Sequence, residues 1–186
     1  MKILGKRVVD KDFREIFGSV FISVTGGLVA GGLLLSFVDK LKFLSGLFIL
    51  LPAFLEIHGN IFGSLAARLG MLLNTKHIKP RFEHNKILSI NIWSSILLML
   101  LVSLFLGLAT YLFNYFIFKS NVPILILIAL IAAVVALVVE LPLVVFLTFW
   151  LFRRGHDPDD IMGPYVTTIG DIISIVSLFL VIVVAI

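Results

Sequence analysis

The chain has 186 residues, of which 60% are hydrophobic and only 14% charged, with a mean hydropathy of +1.16. That is more apolar surface than a soluble domain of this size can use, so the class is integral membrane protein. The net charge of +4 is no sign of a nucleic-acid partner, because basic residues gathered in loops are what membrane orientation demands, and the absence of cysteine excludes disulfides, thiolate metal sites and a cysteine nucleophile.

Lys2, Lys6, Arg7, Lys11 and Arg14 precede an apolar run from Ile16 to Phe37. At about 22 residues this run exceeds the roughly 7–15 of a signal-peptide core, and no small-residue cleavage pattern follows, so it reads as a retained first span. A spanning helix needs roughly 20 mostly apolar residues. Five segments qualify, at about 15–38, 43–73, 87–118, 123–152 and 160–186, and the longest polar stretch, Asn74 to Lys86, is a loop. With the N-terminus in the cytoplasm, 12 of the 15 basic residues fall inside: the five above, Arg68, Lys76, Lys79, Arg81 and Lys86, and Arg153 with Arg154. Lys40, Lys42 and Lys119 fall outside. The positive-inside rule therefore predicts N-in, C-out.

In the first segment Ser23, Gly27 and Gly31 form a small-xxx-small ridge, flanked by Gly26 and Gly32, which predicts close helix packing. No Gly-Lys-Ser/Thr follows, so it is not a phosphate loop. The second segment carries Pro52, Glu56, His58, Gly59, Asn60 and Gly63 at membrane depth. Proline removes a backbone donor and glycine weakens a helix, so the expectation is a break near Gly59-Asn60 that frees carbonyls, tolerated only inside protein or beside water. Arg68 sits toward the cytoplasmic end as an anchor. The third segment is scaffold, with Trp93 near one end and Tyr111 and Tyr115 near the other as interfacial aromatics. The fourth contains Glu140 two residues before Pro142, a carboxylate that must be protonated or face a polar interior. His77, His84 and His156 are loop residues, and no H-E-x-x-H motif occurs.

The fifth segment concentrates the chemistry. Asp157-Pro158 reads as an N-cap followed by proline at the first helical position. From there Asp157, Asp160, Pro164, Thr167 and Asp171 recur at steps of three or four and share one face. The stripe climbs roughly 21 Å at about 1.5 Å per residue, from a charged mouth to a deep carboxylate. The deep polar groups, Glu56, His58, Asn60, Glu140, Thr167, Thr168 and Asp171, offer mostly oxygen, which suits hard divalent cations. An Asp at a helix centre costs about 2.5–3.5 kcal/mol on insertion scales, and a divalent ion between two such carboxylates would offset it.

The run D-P-D-D-I-M-G-P-Y-V-T-T-I-G-D, Asp157 to Asp171, resembles the D-P-x-x-x-x-G-P-x-x-T-T-x-x-D signature of the MgtE magnesium channel family. Pro52 through Leu69, with its Gly-Asn pair and Leu-Ala-x-Arg-Leu run, is similar to that family's other membrane motif, in the form of the eukaryotic two-repeat relatives. The resemblance implies a pore between two five-helix units, lined by the second and fifth helices. In that pore Asp171 is the ion-binding carboxylate, with Thr167 and Gly59-Asn60 beside it and Asp157 at the cytoplasmic mouth. Gly163, Pro164, Thr168, Glu56, His58 and Glu140 are the further pore-lining or coupling candidates. Bacterial members carry a cytosolic domain and paired CBS modules before the membrane part. About 15 residues stand there in this chain, too few for a folded domain. Ser174 stands where many members have glycine, and so does His58 with respect to bacterial members.

The expectation is thus one five-helix transport domain over residues 1–186, all-α, forming a plasma-membrane pore as a parallel homodimer or with a similar half-size subunit. Its cargo is Mg2+, Mn2+ or Co2+, and it needs no separate cofactor and no nucleic acid. The alternative is a proton- or sodium-coupled exporter using Glu140 or Glu56. An intramembrane lipid enzyme lacks the nucleophile–base pair it would need.

Overall fold

The computed structural model describes residues 2–41, 46–83 and 85–185; Lys42 and His84 lie outside the described residues. Five helices follow one another: α1 (Lys2–Leu41), α2 (Leu47–Asn74), α3 (Lys86–Ile117), α4 (Ile124–Arg153) and α5 (Pro158–Ala185). No strand occurs among the described residues. Helices are the required answer here, because in hydrocarbon every backbone group must find its partner within its own segment. All five are long and apolar enough to span, α1 through Phe13–Asp39.

Local signals set the helix ends. The Asn85 side chain caps α3, its Oδ1 accepting from Ile87 N at 2.8 Å and Leu88 N at 3.3 Å. Gly155, at φ +80°, ends α4 in the left-handed region that glycine enters without strain. Two residues on, Asp157 Oδ1 accepts from Asp159 N at 3.1 Å and starts α5, as the Asp-Pro pair predicts.

The first span, Phe13–Asp39, agrees with the expected 15–38, and its helix runs on from Lys2, so at about 1.5 Å per residue it reaches roughly 60 Å, twice a hydrocarbon core. Two other expectations need adjustment. The second helix does not break: Leu47–Asn74 is continuous through Pro52 and Gly59. Pro52 removes only its own bond to the carbonyl one turn earlier, and the flanking turns carry the helix on. The small ridge of α1 is used in part within the protomer. Among the described residues nothing lies within 4 Å of where a Cβ on Gly27 or Gly31 would sit, whereas a Cβ on Gly26 would collide with Thr168 Cγ2. The Thr168 hydroxyl lies 2.8 Å from the Ser23 hydroxyl, so Ser23 and Gly26 form the seam with α5.

The bundle is built around α5, which packs on α1, α2 and α4. Helix α3 covers the other side of α2 and α4, and α1 leans on α5 with Phe17, Phe21, Val24, Leu28 and Leu35 turned outward. Outward apolar side chains are ordinary where the solvent is lipid. At the α3–α4 seam backbone meets backbone closely: a Cβ on Gly107 would stand 2.8 Å from Ile126 Cα. Two apolar clusters fill the interior. One gathers Leu50, Phe54, Met99, Ile128, Ala132 and Leu178, the other Phe62, Leu65, Leu69, Val144, Phe149 and Met162. Between them, at mid-depth, lies a polar layer.

Candidate functional site

Glu56, Gly59 and Asn60 sit near the middle of α2, and Thr167 and Asp171 near the middle of α5. Because α2 and α5 pack side by side, these five residues line one open cleft of ≈ 420 Å³, completed by Pro52 and Leu55. The cleft has two walls. On α2, Asn60 Nδ2 donates to Glu56 Oε1 at 2.9 Å, one helical turn apart, a bond that uses neither the Asn60 side-chain oxygen nor the second Glu56 oxygen. On α5, the Thr167 hydroxyl lies 3.0 Å from the Pro164 carbonyl and 3.2 Å from that of Gly163. Donating its single proton to its own helix leaves the Thr167 lone pairs available to a ligand. A Cβ at Gly59 would meet Thr167 Cγ2 at 3.2 Å, so glycine there is what lets the walls approach. Its role in the cleft is space, since its backbone is helical.

Two carboxylates and two neutral oxygen donors therefore converge at mid-membrane depth. No amine or guanidinium is among the lining residues to neutralise them. Such a site attracts a cation, and oxygen-only donors select hard ones.

The other predicted residues divide into two groups. Asp157 stands at the end of the stripe, outside the cleft, and ties two helices: Asn74 Nδ2 donates to its Oδ1 at 3.1 Å and to its Oδ2 at 3.2 Å. Gly163 is exposed and Pro164 half-buried on the same helix between mouth and cleft, neither of them a lining residue. Thr168, His58 and Glu140 lie elsewhere. Thr168 is buried against α1. His58 and Glu140 are wholly buried behind the cleft and bonded to each other, Nδ1 to Oε2 at 2.6 Å. Asn74 was not foreseen, although it continues the α2 face of Asn60, Ala67 and Met71 at helical spacing. Of the loop histidines, His77 is exposed and His156 pairs with Glu15 of α1 at 3.2 Å. Arg68 donates to Ser95 Oγ of α3 at 3.1 Å, so it fastens two helices.

Because Asp157 both caps α5 and carries charge, its two roles separate by substitution. Asp157→Asn keeps the cap and removes the charge, and we expect divalent flux below wild type at low ionic strength, with the difference closing as salt screens the wild-type carboxylate. Asp157→Ala should in addition lower stability by about 0.5–2 kcal/mol through the lost cap. Flux against salt and unfolding in detergent measure the two effects.

A helical membrane bundle whose mid-depth cleft presents oxygen donors is, in class, a cation-handling transport protein. Comparison with family models identifies which: the model of MgtE, described as a divalent cation transporter, matches residues 51–181, from within α2 to late in α5. The chain belongs to the MgtE divalent cation transporter family. Comparison with curated proteins returned no match.

Proposed function

We propose that this domain conducts Mg2+ or a closely related divalent cation through a pathway formed where the α2–α5 clefts of two copies face each other, with Asp171 of each copy at the filter. The observation that carries this reading is the cleft itself, where Glu56, Asn60, Thr167 and Asp171 meet at mid-depth on the outer surface of the bundle. Left against lipid, each ionised carboxylate would cost about 2.5–3.5 kcal/mol on insertion scales, and an open polar cleft has no lipid partner at all. A second copy, related by a two-fold axis along the membrane normal, places an identical cleft opposite at the same depth. The enclosed space is then polar, water-lined and four-fold carboxylate.

Among the described residues no group of three or more His, Asp or Glu converges in one protomer. Mg2+ suits that sparse donor set, because it keeps several waters and leans on one or two carboxylates. We place Asp157 at the cytoplasmic mouth in an N-in, C-out orientation, in the plasma membrane, on the distribution of Lys and Arg. The coupled-exporter reading keeps both of its candidates, Glu56 lining the cleft and Glu140 buried behind it.

The chain contains no cysteine, so single introduced thiols report cleanly on pairing. Ser64 and Met71 are exposed on the cleft face of α2, and Val138 is exposed on α4 away from it. Ser64→Cys and Met71→Cys are expected to cross-link between copies in membranes, and Val138→Cys is not. Cross-linking of Val138→Cys alone would remove the facing-cleft arrangement. Flux of Mg2+, Mn2+, Co2+ and Ca2+ into vesicles holding only the purified protein tests transport itself. Entry that responds to an imposed proton or sodium gradient would replace the passive reading with the coupled one.

A further inference from the structure

We infer that the buried His58–Glu140 pair is a positioning device for the cleft, setting the spacing of its two walls and through it the discrimination between cations. It rests on the reading of the cleft as the ion path. The pair lies directly behind that path. His58 precedes the Gly59-Asn60 wall on α2, and on α5 Gly170 precedes Asp171. Glu140 reaches from α4 to both: its Oε2 is 2.6 Å from His58 Nδ1, and a Cβ on Gly170 would stand 2.7 Å from its Oε1. One carboxylate thus bonds to one wall and abuts the backbone of the other. Glycine at 170 leaves room for that approach, and a larger residue would have to displace the Glu140 carboxylate or push α5 away from it.

The surroundings hold the pair in register. The His58 ring lies between those of Phe54 and Phe62, with centroids 4.7 Å and 6.0 Å away. The pair forms the polar layer between the two apolar clusters of the core. Its energetics argue against stability as its purpose. Both side chains are 0% exposed, and neither Glu140 Oε1 nor His58 Nε2 has a hydrogen-bond partner among the described residues. Two apolar side chains of similar volume would fill the same space without the desolvation cost of a buried ionisable pair. What apolar packing would not supply is a directional contact that fixes how α2, α4 and α5 are rotated. Outer-shell partners of this kind orient the groups that touch the metal.

The test uses two readouts that differ in what they depend on. In an otherwise cysteine-free chain, Gly59→Cys with Thr167→Cys places thiols across the cleft, where a Cβ on Gly59 would stand 3.2 Å from Thr167 Cγ2, and the rate of their disulfide formation reports wall spacing without any ion flux. The ratio of Mg2+ to Ca2+ flux, measured in the chain without those thiols, reports discrimination. Replacing the pair together, His58→Leu with Glu140→Leu, is expected to slow the disulfide and to shift the flux ratio by about tenfold or more, as loss of outer-shell partners does elsewhere. Glu140→Gln, which still offers His58 a hydrogen bond, should stay near wild type in both. Gly170→Ala is a milder wedge expected to move both readouts in the same direction as the leucine pair, and it carries the test should the leucine pair not assemble. Unchanged spacing and selectivity in the leucine pair or in Gly170→Ala would overturn the inference. So would a Glu140→Gln protein that forms the disulfide normally yet conducts nothing, because that would place Glu140 on the ion path. A wild-type chain that conducts no divalent ion, but whose disulfide still slows in the leucine pair, would sink the ion-path reading and leave the positioning role supported.

Discussion

Asp171→Asn and Asp171→Ala are expected to reduce Mg2+ flux in reconstituted vesicles to background while the protein still assembles. The expectation follows from where the carboxylate sits and what it does not do. It lies at the middle of α5 and lines the cleft, with Glu56 on the facing wall. Removing its charge halves the anionic donors that would replace waters of a passing ion. Side-chain bonds such as His58–Glu140, Arg68–Ser95, Asn74–Asp157 and Thr168–Ser23 fasten one helix to another without Asp171. Folding therefore has little stake in this side chain. Flux measured by a Mg2+-sensitive dye, alongside the helical circular dichroism of the same preparation, separates the two effects. Wild-type flux in either variant would take Asp171 out of the mechanism.

Gly107→Leu, in the α3–α4 seam, should produce a large loss of stability. A Cβ at 107 would meet Ile126 Cα at 2.8 Å, Ile126 O at 3.1 Å and Ala129 Cβ at 3.1 Å. Two of those three atoms are backbone, so no rotamer change on α4 relieves the clash; the helices must separate. Even alanine overpacks such a site at about 1–3 kcal/mol, and leucine, with three more carbons, pries the seam apart. Close backbone approach is a main source of association between helices in lipid, where apolar side chains gain nothing from leaving water. Gly27→Leu is the matched comparison, since nothing lies within 4 Å of its Cβ position, and its change should stay within about 0.5 kcal/mol. Unfolding midpoints of the two variants in the same detergent decide the matter, and equal losses would contradict this account of the seam.

These two glycines show how far the sequence reaches. Composition and hydropathy alone determine an integral membrane protein with five spans, because a hydrocarbon solvent leaves the backbone no choice but helices and sets their length. Periodicity along α5 determines that Asp157, Thr167 and Asp171 share a stripe at two depths, since a helix has a single period, and the Asp-Pro pair determines where that stripe begins. The motifs of the second and fifth segments point to the family that the match over residues 51–181 confirms. Contacts between helices are another matter, because spacing within one helix says nothing about which face meets which neighbour. Gly26 and Gly107 carry close seams while Gly27 and Gly31 do not, and only packing tells them apart. Continuity of α2 through Pro52 and Gly59 was likewise undecidable, because the flanking turns outweigh one lost backbone bond. The polar residues at mid-depth looked alike in sequence. Tertiary structure sorts them: Glu56, Asn60, Thr167 and Asp171 line the cleft, and His58 and Glu140 turn inward to each other. The physical reason is that a buried polar group must find a partner, and that partner lies 82 residues away along the chain.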